Sequence, residues 1–368
     1  MRTARARWLL PLALCGIAGP LHAQGVWDTS ARLGPQVVQY DLKAPIGEKI
    51  TEYAVPIYVL LPFTNAFSMD VGTAWTSAQV TTQGINGTSV SRLSGLTDTQ
   101  IRANYVLGTD FIVLTAGVNL PTGHANITAD QLAAATRIAS DFLLFPINGF
   151  GAGAGGTGGL AVARPLGDWN VGFGLAVRHS LAYDAFQDPA GNRFRFQPGN
   201  EYRGRIGVDR PYGTGRIALG FTYSRFGHDQ ANGSLYNTGD RFITQASITN
   251  SVNDVDLTLS GWDLFRASGM LFDSTATGRE NIADVGFAAG FHTAPRLVLE
   301  PSIEGRVWTQ DARPSSYMGT AALRLNVDLD GYVVTPSAGY TVGRVGGPSG
   351  NAGLTGFRAT LAIRIGAN

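Results

Sequence analysis

The chain has 368 residues, a formal net charge of +1, and 15% charged residues, and its only lysines are Lys43 and Lys49. No segment concentrates basic residues, which argues against a nucleic-acid partner, and a single cysteine, Cys15, rules out a disulfide framework. Length alone would allow two soluble domains, but no linker or composition shift divides the sequence, and its 48 glycines are scattered through strand-like runs.

Arg2, Arg5 and Arg7 precede an apolar run from Trp8 to Ala18, and Leu21-His22-Ala23 ends on a small residue. This layout predicts a signal peptide over 1–23, with the mature chain starting near Gln24. The run is shorter than the roughly 20 residues a membrane-spanning helix needs. Its removal takes Cys15 and three arginines with it, so the formal charge falls from +1 to −2. Residues 24–368 then read as one domain.

From Thr51 onward the pattern is strict alternation. Thr51, Tyr53, Val55, Ile57, Val59, Leu61 and Phe63 form an apolar face opposite Glu52, Ala54, Pro56, Tyr58 and Leu60, the period of a strand with two unlike faces. The same pattern recurs over Ile112–Leu120, Asn170–Arg178, Glu201–Asp209, Arg216–Ser224, Leu323–Val327 and Phe357–Arg364. A soluble sandwich buries the apolar face, whereas a membrane barrel turns it to lipid.

Connection lengths, the placement of aromatics and a secretion signal on a chain with no further cysteine and no linker together favour the barrel. Tight turns fall at Phe63 to Ala66, Gly108 to Asp110, Gly167-Asp168, Pro211 to Gly215, Asn250 to Asp254, Thr293 to Arg296 and Asp328 to Gly331. Longer links span Gln79 to Leu96, Pro121 to Gly156, Ala185 to Gly199, Gly227 to Gly239 and Leu264 to Glu280. Short periplasmic turns and long external loops are the asymmetry of an outer-membrane barrel. Tyr332 and Tyr340 bracket an apolar face of roughly 20 Å, and with Tyr105 and Trp169 they fit an aromatic girdle.

The expected fold is therefore all-β, a transmembrane antiparallel up-and-down barrel of about 16 strands. It would have 14 if the first hairpin, Gln36 to Lys43 with Ile50 to Phe63, lies partly outside the wall. Pro56, Pro301 and Pro336 predict bulges, because proline cannot donate to the ladder.

One helix is expected. Thr128-Ala129-Asp130-Gln131 has capping-box spacing and precedes Leu132, Ala135, Ile138, Ala139 and Phe142 on one face, predicting about three turns within the longest loop. Thr128, Gln131, Leu132, Ile138 and Phe142 belong either to a rim helix or to a gate that enters the mouth and narrows it. The glycine run Gly149 to Gly159 lacks the Lys-Ser/Thr of a phosphate loop.

The polar parity assigns a set of charged side chains to the lumen. Along the first half these are Glu52, Asp70, Asp98, Arg102, Arg178, Arg203, Arg205 and Arg216. Asp256, Asp284, Glu300, Glu304, Arg306, Arg324, Arg358 and Arg364 follow. They either set solute preference or pair across strands to stiffen the wall. His124, His179, His228 and His292 are dispersed, with no His-x-x-x-His and no Gly-x-Ser-x-Gly, so the sequence predicts no catalytic site, metal or cofactor.

Ser94-Gly95-Leu96-Thr97-Asp98-Thr99-Gln100-Ile101-Arg102 through Tyr105, followed by Gly117-Val118-Asn119-Leu120-Pro121-Thr122-Gly123, resembles the MetA-pathway of phenol degradation family of outer-membrane proteins, relatives of the FadL-type hydrocarbon uptake channels. The resemblance implies a barrel that takes up hydrophobic or aromatic compounds. Two departures stand out: a short stretch, Gln24 to Gly34, in place of the FadL-type N-terminal hatch, and a non-aromatic end, Ile365-Gly366-Ala367-Asn368.

The functional expectation is an outer-membrane channel or facilitated uptake protein for small organic solutes, hydrophobic or aromatic ones among them. The alternative is a non-transporting structural or surface-binding barrel. The expected partners are outer-membrane lipid, a small-molecule solute and, during biogenesis, the outer-membrane assembly machinery; oligomeric state is left open.

Overall fold

A computed structural model of the chain describes residues 30–366 other than 85–86, 109–110, 271–274, 312 and 348–349. The signal-peptide reading for 1–23, with Cys15, lies outside the described residues, as does Thr109-Asp110 of the second tight turn.

Eighteen strand segments join in one antiparallel sheet that closes on itself. Two pairs of segments are successive pieces of a single strand, so the wall has 16 strands. β1 comprises Ser30–Leu33 and Gln36–Leu42, and β2 to β5 are Glu48–Pro62, Phe67–Gly84, the two pieces Gly87–Leu96 and Thr99–Leu107, and Ile112–Leu120. β6 to β11 are Gly155–Leu166, Trp169–Ser180, Glu201–Tyr212, Gly215–Phe226, Arg241–Val252 and Val255–Arg266. β12 to β16 are Glu280–Ala294, Leu297–Gln310, Arg313–Leu329, Tyr332–Gly347 and Gly350–Ile365. β1 pairs with both β2 and β16, which seals the cylinder. The first hairpin is thus part of the wall, and the 16-strand count holds over 14.

The tight turns fall where the sequence places them. Gly167 and Gly331 adopt positive φ (63° and 94°) in two-residue turns, the conformation that lets a short turn follow the twist of its strands. The apolar parity faces outward: Tyr53, Ile57, Phe173, Leu175, Ile206, Val285, Ile303, Leu361 and both girdle tyrosines, Tyr332 and Tyr340, are exposed. Glu52, Asp70, Asp284 and Arg306 on the other parity are buried. Val285, mid-strand on β12, is 59% exposed. Val285→Arg is expected to lower folding stability in lipid by about 2–4 kcal/mol, the magnitude for a charge on the lipid face near the midplane, read as a shifted denaturant midpoint.

Three expectations need correction. The prolines cause no bulge: the ladder skips two rungs at Pro301 and two at Pro336, while the register on either side is unchanged. Pro56 lies opposite the Gly34-Pro35 break in β1, so the missing donors of the two strands face the same gap. Register shifts in the wall sit instead at the ends of strands, between His292 and Ala294 and between Trp308 and Gln310, and at the junction of the two pieces of β4. Second, Gln79 to Leu96 is no loop. β3 and β4 continue as a paired hairpin to Gly84 and Gly87, well beyond the end of β5.

Third, the helix is shorter and starts later than its capping box implies. It covers Leu132–Ile138, with Gln131 at its N-cap position and no side-chain cap. The backbone at Ile127–Thr128 is held extended by parallel pairing with Phe186–Gln187, so helical geometry cannot begin at Thr128. Half of the box survives: Gln131 Oε1 accepts from Thr128 N at 3.1 Å, while the Thr128 hydroxyl turns to Asp130. Ala134 and Ile138 form the buried stripe, and Leu132 is 45% exposed.

At the loop end a second sheet of five short strands, drawn from three external loops, joins Ile127–Thr128, Tyr183–Gln187, Arg193–Gln197, Asp229–Ala231 and Ser234–Tyr236. Phe196 stacks on Tyr236 and meets Tyr183 edge-on. Burial, with the Asp229 carboxylate nearby, raises the Tyr236 hydroxyl above its ordinary pKa.

Candidate functional site

The connection between β5 and β6 folds into the cylinder. Its polar ties reach inward-facing side chains of strands far apart around the wall, which is possible only from inside. Arg137 on the helix makes a two-pronged ion pair with Glu48 of β2 at 2.6 and 2.9 Å. Asp141 accepts from Arg266 of β11 at 2.7 Å. The carbonyls of Phe142, Leu143 and Leu144 accept from Arg306 of β13 (2.8 Å), Tyr40 of β1 (3.0 Å) and Arg358 of β16 (3.3 Å). Ile147 N donates to Glu52 of β2 at 3.2 Å.

Apolar packing accompanies these ties. Ile138, Phe142, Leu143, Phe145 and Phe150 pack into one cluster with Val38, Tyr40, Leu42, Ile50 and Val80 of the wall. Phe142 stacks on Trp308 at 5.6 Å between centroids. Of the residues predicted to gate, Ile138 and Phe142 are buried against the wall, Leu132 is exposed, and Thr128 and Gln131 sit at the root of the helix. The apolar side chains on β1, β2 and β3 that break the polar inner face, such as Val38, Ile50 and Val80, are the signal in the sequence that something apolar lies inside.

The two ends of the inserted segment converge on Asp98. Between the β3–β4 pairs Trp75 with Leu96 and Gly72 with Gln100, β4 has one more residue than β3. This bulge turns Asp98 inward. Its Oδ1 accepts from Gly123 N at 3.0 Å, and its Oδ2 accepts from Asn119 Nδ2 at 2.8 Å and Ala152 N at 2.7 Å. Thr122 Oγ1 takes the Thr99 N–H at 2.9 Å and bonds the Thr99 hydroxyl at 2.8 Å. A Cβ on Gly123 would lie 2.0 Å from Phe150 O, so no side chain fits. The Gly-Leu-Thr-Asp-Thr and Leu-Pro-Thr-Gly segments that carry the sequence resemblance are thus the two halves of a clamp at the loop root. Asp98, read from parity as lumen-lining, is a clamp residue.

Most predicted lumen charges are paired across the wall. Asp70 meets Arg102 at 2.8 Å, Asp209 meets Arg216 at 3.0 Å, Glu300 meets Arg324 at 3.1 Å and Asp284 meets Arg306 at 2.9 Å. Glu304 also pairs with Arg306. Glu201 takes Arg203 at 2.7 Å and Arg241 at 3.9 Å. Arg178, Arg205, Arg358 and Arg364 stand apart, with no ion pair among the described residues.

β6 to β10 are different again. Among the described residues, no hydrogen bond or ion pair links 129–150 to these strands. On β6 to β9 many inward positions are small, namely Gly159, Ala161, Gly172, Gly174, Ala176, Gly207, Ala218 and Gly220, set among inward arginines such as Arg178 and Arg205. The lumen is therefore divided between a filled side and a side where glycine and alanine alternate with charged groups.

The dispersed histidines assemble no catalytic group among the described residues. His292 Nε2 lies 2.7 Å from Asp256, and Ser251 donates to the other Asp256 oxygen at 2.5 Å. The hydroxyl thus bonds the carboxylate and not the imidazole, so the base does not activate it. Among the described residues no cluster of three metal-ligating side chains forms.

A closed wall with an apolar exterior, a polar interior and an infolded loop defines an outer-membrane β-barrel. No family model matches the chain, and no curated protein matches it. Among solved structures, a deltaS2 mutant of the monoaromatic hydrocarbon channel TodX is 12% identical, with 93% of this chain and 91% of that one covered and a TM-score of 0.50. An outer-membrane channel from Pseudomonas putida F1 is 14% identical over 94% of this chain and 98% of its own, with a TM-score of 0.40. OccK7 of Pseudomonas aeruginosa is 8% identical over 92% and 99%, with a TM-score of 0.45. At these identities the likeness is one of fold.

Proposed function

We propose that the protein is a passive channel or facilitated uptake protein that carries small organic solutes across the outer membrane, without enzymatic activity. The observation that carries this reading is the one-sided filling of the lumen. The inserted loop is tied to β1, β2, β4, β11, β13 and β16, and its cluster extends to Ile243 of β10, while among the described residues no polar tie reaches the small-residue faces of β6 to β9, where this reading places the passage. In this reading the loop, with Ile138 and Phe142 at its base, is a constriction that sets the width of the passage. The outer face meets lipid, the assembly machinery inserts the barrel, and hydrophobic or aromatic compounds are among the solutes, as in the named channel of similar fold.

Reconstitution into planar bilayers tests the reading. Discrete conductance steps in potassium chloride, and solute flux in proteoliposomes, are expected. A correctly folded barrel that passes neither ions nor solutes would support the structural alternative. Incubation with phospholipid is expected to release no fatty acid.

A further inference from the structure

The clear side of the lumen carries an uneven charge. Arg178 on β7, Arg203 and Arg205 on β8, Arg241 on β10 and Arg266 on β11 all occupy inward positions. Arg203, Arg241 and Arg266 lie in one cross-strand row through Ser224, and Arg178 is the cross-strand neighbour of Glu201. Three carboxylates answer these five guanidinium groups. Glu201 is shared by Arg203 and Arg241, and Arg266 holds both Asp141 (2.7 Å) and Glu280 (2.6 Å). Among the described residues Arg178 and Arg205 make no ion pair, so the patch keeps an excess of two positive charges.

The surroundings of Arg205 keep that excess accessible. Gly174 is its cross-strand neighbour on β7, and one step toward the turn end Gly172, Gly207 and Gly220 sit side by side on three adjacent strands. No side chain from this floor can cover the guanidinium. Arg178 is exposed and Arg205 is half-buried, and a passing carboxylate supplies two acceptor oxygens in the geometry a guanidinium fork prefers.

We propose that the passage selects organic anions, a solute carboxylate being drawn into it by the excess of two positive charges in this patch, with Arg178 and Arg205 the guanidinium groups that make no ion pair among the described residues. This rests on the channel reading above and assigns its solute class. The solute body meets glycine and alanine faces, which suit a flat or narrow apolar group, and its charged end meets the arginines.

The test is the reversal potential of the reconstituted protein across a potassium chloride gradient. It is combined with proteoliposome flux of benzoate, benzamide and benzylammonium, which share a ring and differ in charge. The unaltered protein is expected to prefer chloride over potassium and to pass benzoate faster than benzylammonium. Arg178→Gln and Arg205→Gln are each expected to reduce the chloride preference by about threefold, the scale of one unit charge acting across a screened aqueous pore. Arg205→Lys is expected to retain most of it. Arg210→Gln, on the outer face of β8, is the control and leaves selectivity unchanged. Conductance that is cation-selective, or that is indifferent to both glutamine variants, overturns the anion assignment and leaves the channel reading standing. Absence of any conductance from the folded, unaltered barrel overturns both.

Discussion

Replacing residues 129–147 with a short Gly-Ser linker is expected to raise single-channel conductance about twofold or more, because the segment blocks on the order of half the lumen of a barrel of this strand number. The barrel should tolerate the change. Gly123 N and Ala152 N, which flank the replaced segment on either side, bond the same carboxylate, so the loop root that the linker must span is already closed. The wall ladder does not run through the loop. Thermal stability should fall all the same, since Ile138, Phe142, Leu143 and Phe145 leave the buried cluster, and truncation of one such phenylalanine alone costs about 3–5 kcal/mol. An unchanged conductance in a variant that keeps its heat-modifiable barrel form would show that the passage does not run beside the loop.

Asp98→Ala is expected to release the loop root while leaving the wall intact. Two backbone N–H groups and the Asn119 amide lose their acceptor, at about 1–3 kcal/mol for each buried donor left unpaired. Asp98→Asn should do nearly as much harm. Both carboxylate oxygens accept, and an amide offers one acceptor and places a donor against donors. The expected readouts are protease cleavage within 121–154 and rapid flickering of the open current, neither of which is expected of the unaltered protein. Asp98→Asn with a protected loop and quiet current would remove the clamp from the account.

Much of this architecture was legible in the sequence because it depends on local periodicity. Alternation over Thr51 to Phe63 and its repeats gave each strand its faces, and two-residue turns such as Gly167-Asp168 marked the hairpins from which 16 strands follow. Beyond the membrane the outer face of a strand meets polar surroundings, while inner residues such as Val80 and Leu93 pack against the inserted loop, so Gln79 to Leu96 shows no apolar lipid face and read as a loop although it is paired hairpin. The helix began late because Thr128 is held by Phe186–Gln187, a contact between separate loops. Parity carried Asp98 into the lumen, and only the extra residue in β4 shows that it serves the loop root.

The infolded loop was the least legible feature. Its ties join residues as distant as Leu144 and Arg358, and no local pattern encodes such a contact. The charged inner face shows the same limit. Sequence placed Arg178, Arg203, Arg205 and Arg216 on one side of their strands, but which arginines find carboxylates depends on cross-strand register. Register leaves Arg178 and Arg205 unpaired and neutralises Arg216.

Two adjacent positions on β8 decide the orientation of the wall. With cysteine removed from the rest of the chain, Arg205→Cys and Ile206→Cys should behave oppositely toward a charged, membrane-impermeant thiol reagent. The thiol at 205 should be modified from the aqueous phase, with a drop in current. The thiol at 206 should resist the reagent, and a fluorophore placed there should be quenched by lipid-borne quenchers. Aqueous labelling at 206 with protection at 205 would contradict the account at its root.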